Sequence, residues 1–114
     1  MARMNPTALF VVLLLCSAVL VACTALLYKN TFALAALFVL FSVLALWVWH
    51  EKTDLCSYVL GAVLGSVAEI ICIYVGAWTY TVPSVLGIPF WLPFLWGLTV
   101  LLMRRQVLIL SSWF

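Results

Sequence analysis

Residues 7–28 read TALFVVLLLCSAVLVACTALLY, a run of 22 positions without a single charge. Coiled as an α-helix, such a run reaches ~33 Å, enough to cross a hydrocarbon core of ~30 Å. Working outward, Arg3 and Pro6 precede it and Lys29-Asn30 end it. A second run follows at once, FALAALFVLFSVLALWVW at residues 32–49, which is 18 residues and closes on Trp47 and Trp49. It gives ~27 Å of helix, and its terminal tryptophans belong where an aromatic belt meets headgroups. The charged knot His50-Glu51-Lys52-Thr53-Asp54 then separates it from a third run, Leu55 to Val75, interrupted only by Glu69.

The character changes after Val75. Gly76 to Pro89 carries no charge but has Pro83, Gly87 and Pro89 together with Trp78 and Tyr80. This composition breaks helices and favours turns, so a loop at or dipping into the membrane interface is expected. Phe90 to Met103 is only 14 residues before Arg104-Arg105, or roughly 21 Å of helix, which falls short of a span. The fourth helix is therefore expected to run on to about Leu110, its two arginines snorkelling toward the headgroups and Trp113 and Phe114 lying at the interface.

The whole chain agrees with this segmentation. Its 114 residues are 69% hydrophobic and 7% charged, a balance that leaves no polar shell for a water-soluble domain. The expected fold is an all-α integral membrane bundle of four transmembrane helices in one polytopic domain, residues 1–114, with spans at about 7–28, 32–49, 55–75 and 90–110. Placing the N-terminus inside puts Arg3, Lys52, Arg104 and Arg105 on the cytoplasmic side and only Lys29 outside, so both termini are expected to be cytoplasmic. The bacterial inner membrane is the expected location, and the Gly76–Pro89 loop lands on the outer face.

Leu20-Val21-Ala22-Cys23 resembles a bacterial lipoprotein box, which would mark cleavage before Cys23. Against it, the apolar run continues through Thr24-Ala25-Leu26-Leu27-Tyr28 rather than giving way to a polar tether. Cys16, Cys23, Cys56 and Cys72 form no C-x-x-C pair or Cys/His spacing; all four read as small buried apolar residues. No metal site and no cofactor is expected. His50, Glu51 and Asp54 read as a short, solvated cytoplasmic turn. The net charge of +2, with its basic residues flanking apolar runs, gives no reason to expect nucleic acid.

Glu69 is the candidate catalytic residue. It falls 14 positions after Leu55, about 21 Å along that helix and a little outside mid-membrane. An acid at that depth costs ~2.5 kcal/mol or more and ordinarily faces a bundle interior or wet cavity. Ser57, Gly61, Gly65 and Glu69 recur every fourth residue, so one stripe of the helix is small and then acidic. Gly61-x-x-x-Gly65 is the spacing that lets helices approach closely, which makes Ser57, Gly61 and Gly65 packing residues and points Glu69 at a neighbouring helix. Trp78, Tyr80, Trp91 and Trp96, in and beside the loop, are the candidate substrate-binding residues, with Tyr74 nearby. Aromatic faces with one acid suit a cation or a polyene-like chain.

The pattern Glu69, Gly76-x-Trp78-x-Tyr80-x-x-Pro83, Gly87-Ile88-Pro89-x-Trp91-x-Pro93-x-x-Trp96 resembles integral membrane carotenoid-biosynthesis proteins, including lycopene cyclase domains and carotenoid hydratases. The resemblance covers about 30 residues. It implies an acid within a span, an outer turn bearing aromatics, and a Gly-x-Pro lead into the next helix. Lycopene cyclase domains carry acids just after that proline, where Phe90 and Trp91 stand here. In format, the chain also resembles small multidrug resistance transporters, whose essential acid lies in the first helix; here the first run has none.

Three functions follow as expectations. The first is handling of an isoprenoid-like or other hydrophobic small molecule at a site around Glu69. The second is proton- or cation-coupled transport through the same carboxyl, as a homo-oligomer. The third is a non-catalytic subunit whose glycine stripe docks a larger membrane partner. The lipid bilayer is the surrounding common to all three.

Overall fold

The computed structural model describes residues 5–114; Arg3, the first topology signal, lies outside them. The chain forms four helices, α1 (Pro6–Leu27), α2 (Thr31–Val48), α3 (Lys52–Tyr74) and α4 (Leu92–Ser112), all long and apolar enough to cross a membrane. The expected all-α four-helix membrane fold is the observed one. Its longest dimension is 43 Å, which matches a bilayer with its headgroup layers.

Polar residues set the helix ends. Asn5 opens α1 by accepting the Thr7 amide on its side chain at 2.8 Å, with Pro6 in the first turn. A second asparagine, Asn30, accepts the Ala33 amide and starts α2 after a two-residue turn. Side-chain oxygens at these positions satisfy amides that have no partner within the helix. Past Cys23, α1 continues unbroken to Leu27.

Helix α4 is the hub, packing on each of the other three, while α3 lies chiefly against α4. The reason is in the glycines. A Cβ at Gly65 would fall within the Trp96 indole, and one at Gly61 would sit 2.6 Å from Val100 Cγ2. The Gly61/Gly65 stripe is thus the groove into which α4 fits, and half-buried Ser57 continues it. The packing is reciprocal, since the Tyr58 ring fills the notch at Gly97 of α4. The Tyr58 hydroxyl lies 2.5 Å from Ser42 Oγ and ties α3 to α2. Leu13, Leu34, Phe38, Leu98 and Leu101 are fully buried between the helices.

Much of the remaining apolar surface faces outward, Leu26 at 82% exposure among it. Lipid is the medium that such a surface requires. The cysteines depart from expectation: Cys16 and Cys56 are exposed and Cys23 and Cys72 half-buried. A bundle this thin has few interior positions, so small apolar residues lie largely on its lipid face.

The fourth helix does run through Arg104 and Arg105, but the arginines do not simply snorkel. They bind Asp54, which is completely buried and not a member of a solvated turn. Arg104 Nη1 reaches Asp54 Oδ1 at 2.5 Å, and Arg105 Nε donates to the same oxygen at 2.9 Å. Arg105 Nη2 binds Oδ2, to which the Glu51 amide also donates at 3.2 Å. Antiparallel packing brings the start of α3 beside the second half of α4, and the ion cluster follows from that register.

Candidate functional site

At the opposite end of the bundle, α3 finishes in a left-handed turn. Gly76 has φ +86°, the Gly76 amide donates to the Ile73 carbonyl at 3.1 Å, and the Ala77 amide donates to Cys72 at 2.8 Å. This pair of bonds closes a helix on a glycine and sends the chain back over the helix end. The following residues therefore return toward Glu69.

Glu69 stands five residues before the end of α3, about 8 Å from that end, close to where a span ending at Val75 would put it. Its carboxylate does not point at a neighbouring helix. Both donors on its Oε2 come from the loop: Trp78 Nε1 at 2.8 Å and the Tyr80 hydroxyl at 2.9 Å. The glycine reversal just past the helix end is why the loop, not α4, supplies the partners. Among the described residues no cation is paired with Glu69, since Arg104 and Arg105 are engaged at the far end.

The Tyr80 ring meets Trp91 edge-on, with centroids 6.1 Å apart and planes at 87°. Trp91 in turn meets Phe38 of α2, 6.2 Å away at 74°. These are the edge-to-face geometries that aromatic quadrupoles favour. A line of contacts thus leads from Glu69 through Tyr80 and Trp91 to the core. Trp91 is 3% exposed and its Nε1 has no hydrogen-bond partner. Trp96 stands apart from this line, covering Gly65 instead.

The loop is more ordered than a turn-rich sequence suggests. Val85 and Ile88 exchange backbone hydrogen bonds at 3.0 and 2.9 Å across Leu86-Gly87. Both central residues have positive φ, 53° and 86°, the geometry of a type I′ hairpin turn. Gly87 is held against α3, where an added Cβ would lie 2.8 Å from Ile73. Pro89 and Trp91 are buried as the chain enters α4. Beside them is a cavity of about 310 Å³ walled by Thr24 of α1, by Tyr28 just past its end, and by Thr79, Tyr80, Thr81 and Trp91.

The Tyr80 hydroxyl is pushed well above its ordinary value near 10, first by burial and then by its hydrogen bond to Glu69 and that carboxylate's charge. The docked loop therefore holds the Tyr80 proton more tightly than an undocked one. Docking is at full strength below pH ~10, where both forms are protonated, and weakens as pH rises above it. Subtracting the tyrosinate absorbance titration of Tyr80→Phe from that of the wild type should leave a tyrosine that ionises late. A difference curve centred on the ordinary tyrosine value would show that the hydroxyl is not held as described.

No family model, curated protein or solved structure matches the chain. The geometry thus carries the functional argument. Of the sequence candidates, Glu69, Trp78, Tyr80 and Trp91 come together, while Trp96, Gly61 and Gly65 form the α3–α4 seam. Two features went unforeseen, the Asp54 cluster and the Tyr58–Ser42 bond. The signal for the first was present: Trp96, Val100 and Arg104 recur every fourth residue, matching the stride of the α3 stripe, and this register leads toward Asp54.

Proposed function

We propose that this multi-pass membrane protein handles a hydrophobic, isoprenoid-like molecule at the end of the bundle bearing Glu69, with that carboxyl as its reactive group. The observation that carries the reading is the fixing of Glu69 by two uncharged donors, both on Oε2. Among the described residues no hydrogen bond reaches Oε1, and Tyr80, which binds the carboxylate, is itself a wall of the cavity beside Trp91. A carboxyl so held can exchange a proton with a bound molecule or stabilise positive charge developing on it, and the indole and phenol rings suit an unsaturated chain. The resemblance to membrane carotenoid-biosynthesis proteins points the same way. The distribution of basic residues supports a reading with this end on the outer face and the arginine end in the cytoplasm.

The other readings gain less support. Coupled transport calls for a carboxyl near the midplane that both sides reach in turn, and Glu69 lies within two turns of the α3 end. A docking subunit was suggested by the glycine stripe, which α4 already fills.

Glu69→Gln is the direct test, because the amide carbonyl still accepts from Trp78 and Tyr80 while the acid is lost. The variant is expected to fold with a stability change of about 1 kcal/mol or so. It should lose at least ~10-fold of its retained hydrophobic ligand or product, a difference of ~1.4 kcal/mol in affinity or barrier. Mass spectrometry of lipids from expressing membranes and from gently solubilised protein provides the readout. An unchanged lipid profile with unchanged retention would rule the reading out.

A further inference from the structure

Three observations at the Glu69 end bear on what its ligand is. The Trp91 indole N–H is buried and unpartnered, which is rare for a strong donor and calls for an acceptor oxygen. The cavity beside it is lined by uncharged, mostly apolar groups; five of its residues carry hydroxyls, of which Thr24 and Tyr80 already donate to the Leu20 carbonyl and to Glu69. Tyr80, a wall of the cavity, also donates directly to the Glu69 carboxyl, an acid. Lys29, the cation of the α1–α2 turn, sits over the Tyr28 ring 5.8 Å from its centroid and does not line the cavity. These walls suit a neutral oxygen and disfavour an anion.

The cavity also has a continuation. Thr24 and Ala25 belong both to it and to a groove of about 560 Å³ between α1 and α4 that leads down to Ser17 and Gln106. Leu20, Leu95 and Leu102 form its apolar wall, and exposed Val21 and Met103 flank it on the lipid side. At the far end Gln106 Nε2 donates to Ser17 Oγ at 3.1 Å, which itself donates to the Leu13 carbonyl at 3.0 Å, tying α4 to α1 there. From Ser17 to Tyr28 is about 16 Å along α1, room for one extended chain.

We propose that the cavity and groove together hold a single-chain neutral lipid, its hydroxyl or carbonyl oxygen at the Trp91 indole N–H and its hydrocarbon chain laid along α1 toward Gln106. This inference rests on the hydrophobic-ligand reading and adds the headgroup class, the chain path and lateral entry from the bilayer between α1 and α4.

The test uses the full chain in phosphatidylcholine nanodiscs with a photoreactive long-chain alcohol, compared with the same chain ending in a carboxylate or a phosphate and with the plain hydrocarbon. The alcohol is expected to label peptides from residues 17–28 and 95–106, about fivefold or more above the other three, the worth of one good hydrogen bond. Ala25→Trp, a change at an exposed position that blocks the junction of cavity and groove, should cut labelling by a similar factor. Trp91→Phe should erase the advantage of alcohol over hydrocarbon. If the anionic chains label as strongly as the alcohol, and do so in a manner that Glu69→Gln alters, the neutral-headgroup inference falls while the broader reading stands. If no chain labels above the lipid-facing surface of α3 around Leu60 and Leu64, both fall. Crosslinks between copies through the groove would make its occupant a second copy of this chain and overturn the proposal.

Discussion

Asp54→Ala is expected to destabilise the bundle by about 3–5 kcal/mol, the cost of removing one member of a buried ion cluster. Asp54 has no exposed surface, and its arginine partners are 22% and 17% exposed. Its two oxygens take three guanidinium contacts and the Glu51 amide. Without it, two positive charges remain at the α3–α4 junction. Glu51 cannot replace it, since it is largely exposed and stands 3.5 Å and 3.9 Å from the arginines, the regime in which an ion pair contributes little. Unfolding in mixed detergent micelles, followed by circular dichroism, measures the loss. Adding Arg105→Leu to the Asp54→Ala variant should recover part of it, because the second change removes the orphaned charge, and the resulting cycle isolates the coupling. A loss below ~1 kcal/mol with no recovery would make the cluster no more than a surface pair.

This cluster also shows where the sequence was legible and where it was not. Four spans were legible because lipid imposes a one-dimensional rule, in which an apolar run of sufficient length must be a helix. The α3–α4 seam was half legible: Gly61 and Gly65 announce close approach, but not which helix approaches. That choice needs the register, and the register is fixed by Trp96 over Gly65 together with Tyr58 in the Gly97 notch, contacts between residues some thirty to forty apart. Asp54 looked like a loop residue for the same reason, since its burial is created by α4 and not by its own neighbours. At the other end, Glu69 was found because an acid within an apolar run stands out by composition alone. Its orientation was not, because a reversal through Gly76 at positive φ aims Trp78 and Tyr80 back at it, and glycines in turn-rich stretches do not declare their handedness.

Gly65→Leu should have the second large effect, and a different kind of effect. Here the destabilisation is steric: the first added carbon would already fall within the Trp96 indole, and the backbone of α3 cannot retreat without leaving the Gly61 contacts with Val100 and the Trp96 carbonyl. Overpacking of this kind costs ~1–3 kcal/mol, and the upper end is expected because the clash is with a rigid ring held on a helix. Pairing it with Trp96→Ala frees volume on the facing side and should restore much of the stability, since the two changes together nearly conserve the filled space. Failure of the pair to recover would place the cost in the leucine's helix environment instead of the seam. The substitution also reaches the site. Glu69 is one turn beyond Gly65 on the same face, and the loop that binds it rests on Trp91 through Tyr80. Moving α3 away from α4 should therefore pull Tyr80 off Trp91, so that Gly65→Leu loses ligand retention and stability together, while Glu69→Gln loses retention with a much smaller change in stability. Measured side by side, that contrast separates a seam that shapes the site from a carboxyl that works within it.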